Sequence, residues 1–359
     1  MIKRSSISIF KCIHKSTKNS GFTIVELLVV IVVIGILAAI TIVSYTGISQ
    51  KATVASIQSD LTNASNILKL DQVTVGAFPV DIASANTNKG ISSCSGSTTC
   101  AYVVSSSIAP QGFCLAVTKN LTTYRITNDG TPTLGDCQNY GLLVDLDAGD
   151  SMSYPAPFNG TTWNDTSGNS RNGSLQNGVS YNSSNSGNLV FNGTNQYVLG
   201  VSNLGISGNA EFTMCGWVKW TGLAWSSDYP SFMGNNSTGL VNQGLSFTLS
   251  GGRPAIDFWN NRWRSGTALN INTWYHICGT KTPGTISTKS IIYVNGVLAS
   301  GAVENDSIPN IVNSPVVVGR LDTSRWFQGS VGEIRVYSRA LPIAEVQQYF
   351  NNTKVRYGL

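Results

Sequence analysis

The chain has 359 residues, of which 42% are hydrophobic and only 11% charged, with 36 Gly and 7 Cys. That length exceeds the ~250 to 300 residues at which a single hydrophobic core stops growing, so more than one folded part is expected. The formal charge of +5 resides in the first 21 residues, because removing Lys3, Arg4, Lys11, Lys15 and Lys18 leaves 18 of the 23 basic residues against 18 acidic ones; long-range attraction to polyanions is therefore not supported. Residues 1–21 carry no acid and read as a leader, not as fold. Gly21 to Ile42 then reads GFTIVELLVVIVVIGILAAITI, enough for a helix through the ~30 Å hydrocarbon core of a bilayer. One carboxylate, Glu26, lies inside this run, where an ionised side chain costs roughly 2.5 to 3.5 kcal/mol. It needs a cation, and a free α-amine on Phe22, made by cleavage after Gly21, would supply one. A secretory signal is cut behind its apolar stretch, whereas here the small residue precedes it, so the apolar segment is retained.

Gly21-Phe22-Thr23-Ile24-Val25-Glu26 and the run behind them resemble the prepilin-type cleavage and methylation signature of type IV pilins and pseudopilins. The resemblance implies cleavage after Gly21 by a membrane prepilin peptidase and N-methylation of Phe22. It also implies that Glu26 pairs with the terminal amine of a neighbouring subunit in a filament. Pilins often carry a proline where this chain has Val43, so less of a kink is expected.

Beyond the membrane segment, Tyr45, Ile48, Ala52, Ala55, Leu61, Ala64 and Leu68 recur at helical spacing, with Lys51, Gln58, Asp60 and Lys69 off that stripe. One stalk helix over residues 22–70 is expected, ended by Gly76 and Pro79. Residues 71–140 hold short β-like runs at Ala101–Ser105, Phe113–Val117 and Thr123–Thr127, and read as a small pilin-like head in which disulfides make up for a scant core. Cys12 leaves with the leader, and the six remaining cysteines of an exported chain are expected to pair. Proximity along the chain favours Cys94 with Cys100 and Cys114 with Cys137, leaving Cys215 and Cys278 as a cross-strand pair. The two histidines, His14 and His276, form no zinc-type cluster with these cysteines in sequence.

All eight tryptophans lie in residues 141–359. Short strands separated by Gly, Asn and Ser turns recur there: Asn188–Asn192, Gln196–Leu199, Glu211–Lys219, Gly244–Leu249, Ala255–Trp259, Trp274–Thr280, Ser290–Val294, Pro315–Val318 and Gly329–Tyr337. The pattern predicts an antiparallel sandwich or jelly roll, closed by a short helix at Ala344–Phe350. The fold class is therefore α+β and multidomain: leader 1–21, transmembrane and stalk helix 22–70, disulfide-tied head 71–140, and β-sandwich 141–359. In order along that last part, Leu146-Asp147-Ala148-Gly149, Trp163-Asn164-Asp165-Thr166-Ser167-Gly168-Asn169, Phe191-Asn192-Gly193-Thr194-Asn195, Trp274-Tyr275-His276, Tyr293-Val294-Asn295-Gly296 and Val318-Gly319-Arg320 resemble the concanavalin A-like lectin and laminin-G-like jelly rolls.

Some members of that superfamily hydrolyse glycans with paired carboxylates. Here Asp145 with Asp147 or Asp150, and Glu304 with Asp306, are the candidate pairs, but no further acid completes a glucanase motif, so no enzyme is expected. No cofactor is required. Calcium would draw on Asp165 and Asn195 in the family's pattern, although Asn192, Gln196 and Gly332 replace acids that relatives often have, and an Asp165 that caps its own turn is the favoured reading. For ligand binding, Trp220, Trp225 and Tyr229 fall in a turn-rich stretch, and Trp259, Arg262 and Trp263 form a second aromatic patch flanked by guanidinium groups. Trp217, Trp274 and Phe212 are assigned to the core. With 13 basic against 12 acidic residues in this part, nucleic acid is not an expected ligand.

Together the two resemblances imply a filament subunit, minor or at the tip, that displays a lectin-like adhesion module for glycans or surface proteins. Its partners would be other pilin subunits, the prepilin peptidase and the membrane. It would sit in the cytoplasmic membrane before assembly and at the cell surface afterwards. A pseudopilin of a secretion or DNA-uptake system is the alternative, and a surface glycosidase the alternative of another class.

Overall fold

A computed structural model describes residues 24–94, 98–105, 112–128, 130–222, 230–235, 240–322 and 325–359. The chain divides into two compact units, Met1–Ser56 and Ile57–Leu359. Helix α1 (Ile24–Val75) crosses that boundary and extends past Leu70, where the sequence spacing ended it. In the first unit, Ile24–Thr41 has a mean hydropathy of 3.0 with none of its residues buried, so the helix is long and apolar enough to cross a membrane. Glu26 lies in its first turn. Gly21 and Phe22 lie outside the described residues.

In the second unit, α1 buries Ile57, Leu61, Ala64 and Leu68, one stripe at helical spacing, against Phe78, Phe113, Leu115, Val117 and Ile126. These come from the turn behind the helix and from a four-stranded antiparallel sheet: β1 (Thr99–Ser105), β2 (Gly112–Lys119), β3 (Thr122–Thr127) and β4 (Thr133–Leu134) in that order. A short helix, α2 (Ala85–Asn88), is fastened to the stem where the buried Asp71 carboxylate accepts the Asn86 N–H. Cys94–Cys100 and Cys114–Cys137 close this small core.

The rest is a two-sheet antiparallel sandwich. Its strands are β5 (Leu142–Asp147), β6 (Thr162–Trp163), β7 (Gly173–Gln176), β8 (Ser180–Asn182), β9 (Asn188–Asn192), β10 (Tyr197–Asn203), β11 (Phe212–Trp220), β12 (Ser231–Asn235), β13 (Ser246–Ser250), β14 (Arg253–Asp257), β15 (Arg262–Ser265) and β16 (Trp274–Lys281). Helix α3 (Ile286–Lys289) follows, then β17 (Ser290–Val294), β18 (Val297–Leu298), β19 (Gly301–Glu304), β20 (Pro315–Val318), β21 (Gln328–Tyr337) and helix α4 (Ile343–Thr353). One sheet runs β19-β15-β14-β13-β12-β20-β10-β7-β6, and the other runs β18-β17-β16-β11-β21-β9-β8, with β5 also paired to β21.

Strand β11 explains why the second sheet is buried on both faces. Phe212, Met214, Val218 and Trp220 point into the sandwich among Phe232, Phe247 and Ile256. The alternate residues Cys215 and Trp217 pack outward under α4 and the C-terminus, against Tyr349, Val346 and Tyr357. Gly279 sits on the inner face because a Cβ there would lie 2.5 Å from Phe247 Cε2 and 2.6 Å from Ile256 Cδ1. Cys215–Cys278 bridges directly opposed residues of β11 and β16.

Head and sandwich are fastened by Arg339, which is 1% exposed. Its guanidinium donates to Tyr140 O at 2.6 Å and Cys137 O at 3.4 Å, and forms a bidentate pair with Glu345 at 2.6 and 3.0 Å.

Candidate functional site

The β14–β15 hairpin turns through Phe258, Trp259, Asn260 and Asn261, with Phe258 N–H donating to Asn261 O at 2.8 Å. Trp259 and Asn260 have φ of +66° and +63°, the left-handed pair of a type I′ turn. Asn suits that geometry. A tryptophan does not, and holding a bulky side chain there costs on the order of 1 to 3 kcal/mol. Asp257 holds the turn by accepting the Trp259 N–H at 2.7 Å.

Trp259, Asn260, Asp257 and Arg262 line a pocket of about 360 Å³ with Val241 and Arg325, within the size range of small-ligand sites. The Arg325 guanidinium lies 4.9 Å from the Trp259 ring centroid and its Nε is 3.7 Å from Asp322. Arg262 Nε is 3.3 Å from Asp257 and 3.4 Å from Glu304, while Arg264 reaches Glu304 at 3.1 Å. Burial pushes the Asp257 carboxyl up, and the Arg262 charge and the Trp259 N–H pull it back down. Acids and guanidiniums alternate, so the pocket offers an aromatic face with donors and acceptors around it and little net charge. That combination suits a ring bearing hydroxyl groups.

Loop residues 320–322 and 325–326 carry a second aromatic group. The Arg320 guanidinium stacks 3.7 Å from the Tyr197 centroid and 5.8 Å from that of Trp326, whose ring is 5.9 Å from Tyr197. In the sequence Val318-Gly319-Arg320 is a fold signature, and no motif marks Tyr197, Arg325 or Trp326 as binding residues. The available signal was the clustering of Arg320, Arg325 and Trp326 within one short loop.

Of the residues proposed from the sequence, the structure brings Trp259 and Arg262 together at the pocket. Two others require correction. Trp220 is 4% exposed, because β11 continues to it and strand alternation turns it into the core. Trp263 is 8% exposed on the face of β15 opposite Arg262, packed where a Gly301 side chain would otherwise sit. Trp225 and Tyr229 lie outside the described residues.

The two candidate calcium ligands lie in separate turns. Asp165 Oδ1 accepts N–H groups from Asp145 and Ser167, and Oδ2 accepts from the Arg171 N–H and the Ser167 hydroxyl. Four donors saturate the carboxylate, which acts as a turn cap. Asn195 accepts the Asn192 amide at 2.9 Å in a separate turn and shares no partner with Asp165. The carboxylate pairs considered for hydrolysis are engaged elsewhere: Asp145 with Arg335, Asp147 with Arg356, Glu304 with two arginines, and Asp306 with the Ser287 hydroxyl and N–H. Folding brings His276 Nε2 to 3.5 Å from Cys278 Sγ, a proximity the sequence spacing did not reveal, and the disulfide leaves no thiolate there for a metal.

Residues 191–347 match the model of the concanavalin A-like lectin/glucanases superfamily, and residues 16–42 match the prokaryotic N-terminal methylation motif. The chain thus joins a prepilin-type methylation signal to a concanavalin A-like domain. Among solved structures it is similar to the binding domain of Paraclostridial Mosquitocidal Protein 1, with 20% identity and a TM-score of 0.44 over 60% of this chain and 53% of that one. A botulinum neurotoxin type C structure, whose cell entry depends upon interaction with two ganglioside molecules, gives 18% identity and a TM-score of 0.44 over 60% and 52%. Domain 4 of an extracellular arabinanase from Geobacillus stearothermophilus, in complex with arabinotriose, gives 17% and 0.43 over 58% and 97%. The chain spans about half the length of the first two. No curated protein matches it.

Proposed function

We propose that the chain is a minor or tip subunit of a type IV pilus-like filament. In this reading residues 22–70 anchor and polymerise, residues 71–140 form the head, and residues 141–359 present a glycan-binding module at the cell surface. The observation that carries the binding role is Trp259, held at φ +66° beside a pocket with Asp257, Asn260, Arg262 and Arg325. A ring kept in an unfavourable backbone conformation, with polar groups converging on it, is better accounted for by what it touches than by packing. The balanced charges favour neutral sugars.

The test is a glycan array probed with the full processed chain. A bound neutral glycan, with affinity little changed by salt and lost in Trp259→Ala, supports the reading. Binding that survives the substitution, or that falls steeply with salt as phosphate contacts do, overturns it. Immunogold labelling of sheared filaments addresses the assembly role: label at tips or sparsely along filaments supports it, and absence from filaments points to a pseudopilin.

A further inference from the structure

Strand β16 ends on Lys281, whose side chain is fully buried. In register it faces Phe212, and it follows Ile277 and Gly279 on the face that looks into the sandwich. A lysine there is unusual, because an ammonium loses its hydration on burial and normally needs a carboxylate. Among the described residues Lys281 has no ion-pair partner. Its Nζ donates instead to Asn209 Oδ1 at 2.7 Å and to Thr282 O at 3.0 Å. Burial pushes the amine down to about 8, so a nucleophilic neutral fraction exists near physiological pH.

The Asn209 side chain is arranged as an electrophile. Its Oδ1 accepts a second hydrogen bond, from Gly284 N–H at 3.1 Å. A backbone donor on that oxygen polarises the carbonyl and would stabilise negative charge developing there. Gly284 can supply it because its φ is +133° and a Cβ would lie 2.6 Å from Lys289 Cγ.

We propose that Lys281 and Asn209 condense into an intramolecular amide bond. The Nζ lone pair attacks Asn209 Cγ and forms the new C–N bond. The tetrahedral adduct collapses with cleavage of Cγ–Nδ2, one proton passes from Nζ to the departing nitrogen, and ammonia leaves. An amine and a carboxamide become a secondary amide plus ammonia, so neither oxidant nor cofactor is needed. Holding the groups in contact supplies effective molarities on the order of 10⁵ to 10⁸ M in well-oriented cases, and escape of ammonia drives the exchange.

The bond would tie the segment ahead of β11 to the end of β16, three residues along each strand from the Phe212–Lys281 pair to Cys215–Cys278. Thr280 and Thr282, on either side of Lys281, line a groove of about 380 Å³ with Tyr102, Val103 and Val104 of the head. The covalent tie would therefore fasten the end of the strand that borders the head, on the face opposite the groove. On the filament reading, that is where pull on a bound ligand enters the subunit, but the chemistry does not depend on that reading.

Mass spectrometry of the reduced full chain decides the matter. The expected result is an intact mass one ammonia below that of the processed sequence, and a branched tryptic peptide joining the Asn209 and Lys281 segments. Asn209→Ala and Lys281→Ala should each restore the full mass expected for that variant. Wild-type protein at its full mass, with Asn209 and Lys281 recovered in separate linear peptides, overturns the proposal, and that measurement needs no variant to fold.

Discussion

At Trp259 the demands of the turn and of the pocket diverge. The type I′ geometry favours Asn or Gly at both central positions, yet the first is occupied by an indole. Replacement by glycine relieves about 1 to 2 kcal/mol of left-handed strain and forfeits about 0.5 to 1 kcal/mol of stacking with Arg325. We therefore expect Trp259→Gly to leave the thermal midpoint unchanged or higher. Glycan affinity should drop roughly 30-fold, the equivalent of a ~2 kcal/mol binding hot spot. Calorimetry beside a binding isotherm separates the two effects.

Glu333 supplies a pH test at the same scale. It is buried on β21, and burial pushes its carboxyl up to about 7 against the pull of Arg335. Asp147, opposite it in register, and Asp145 add repulsion. A folded-state value above the unfolded 4.5 means the native protein binds the proton more tightly. This group therefore contributes most stability below pH ~4.5, and the contribution is lost as pH rises to about 7. Asp145 and Asp257, also raised by burial, act in the same direction. The urea midpoint should fall between pH 5 and pH 7, and Glu333→Gln should flatten that slope.

Among the elements, Arg339 links the head to the sandwich. Arg339 leaves β21 and satisfies two carbonyls of the head while paired with Glu345 of α4. Removing one partner of a buried pair strands the other, typically at 3 to 5 kcal/mol. Arg339→Met should lower the unfolding free energy by about that much, and limited proteolysis should then cut near Tyr140–Gly141 sooner than in the wild type. Unchanged protection would show that the contact is not what holds the two parts. Many strands were legible because apolar alternation and turn residues bound them: Asn188–Asn192, Ser290–Val294 and Pro315–Val318 coincide with β9, β17 and β20. Others were missed, among them β7, β8, β12 and β15. They are short, rich in Gly, Ser, Asn or Arg, and owe their extended form to pairing with neighbours, not to their own propensity.

For the molecule as a whole, the apolar first turns of α1 carry one carboxylate, Glu26. If Glu26 pairs with a neighbour's terminal amine, its loss removes an assembly contact and leaves the second unit intact. Glu26→Val should abolish surface filaments by electron microscopy, while the processed chain keeps its melting transition and its glycan binding. Wild-type filament numbers in that variant would disprove the pairing.

Sequence alone determined what depends on local composition and period: the membrane-length helix, the methylation signal, the antiparallel sandwich and the pairing of cysteines close along the chain. Tertiary structure decided which aromatic residues are available to a ligand. Whether Trp220, Trp259 or Trp263 faces solvent depends on where a strand ends and which face a register turns outward, and a one-residue difference reverses both. It alone placed Arg325 over Trp259 and Lys281 against Asn209, contacts across 66 and 72 residues that no local pattern encodes.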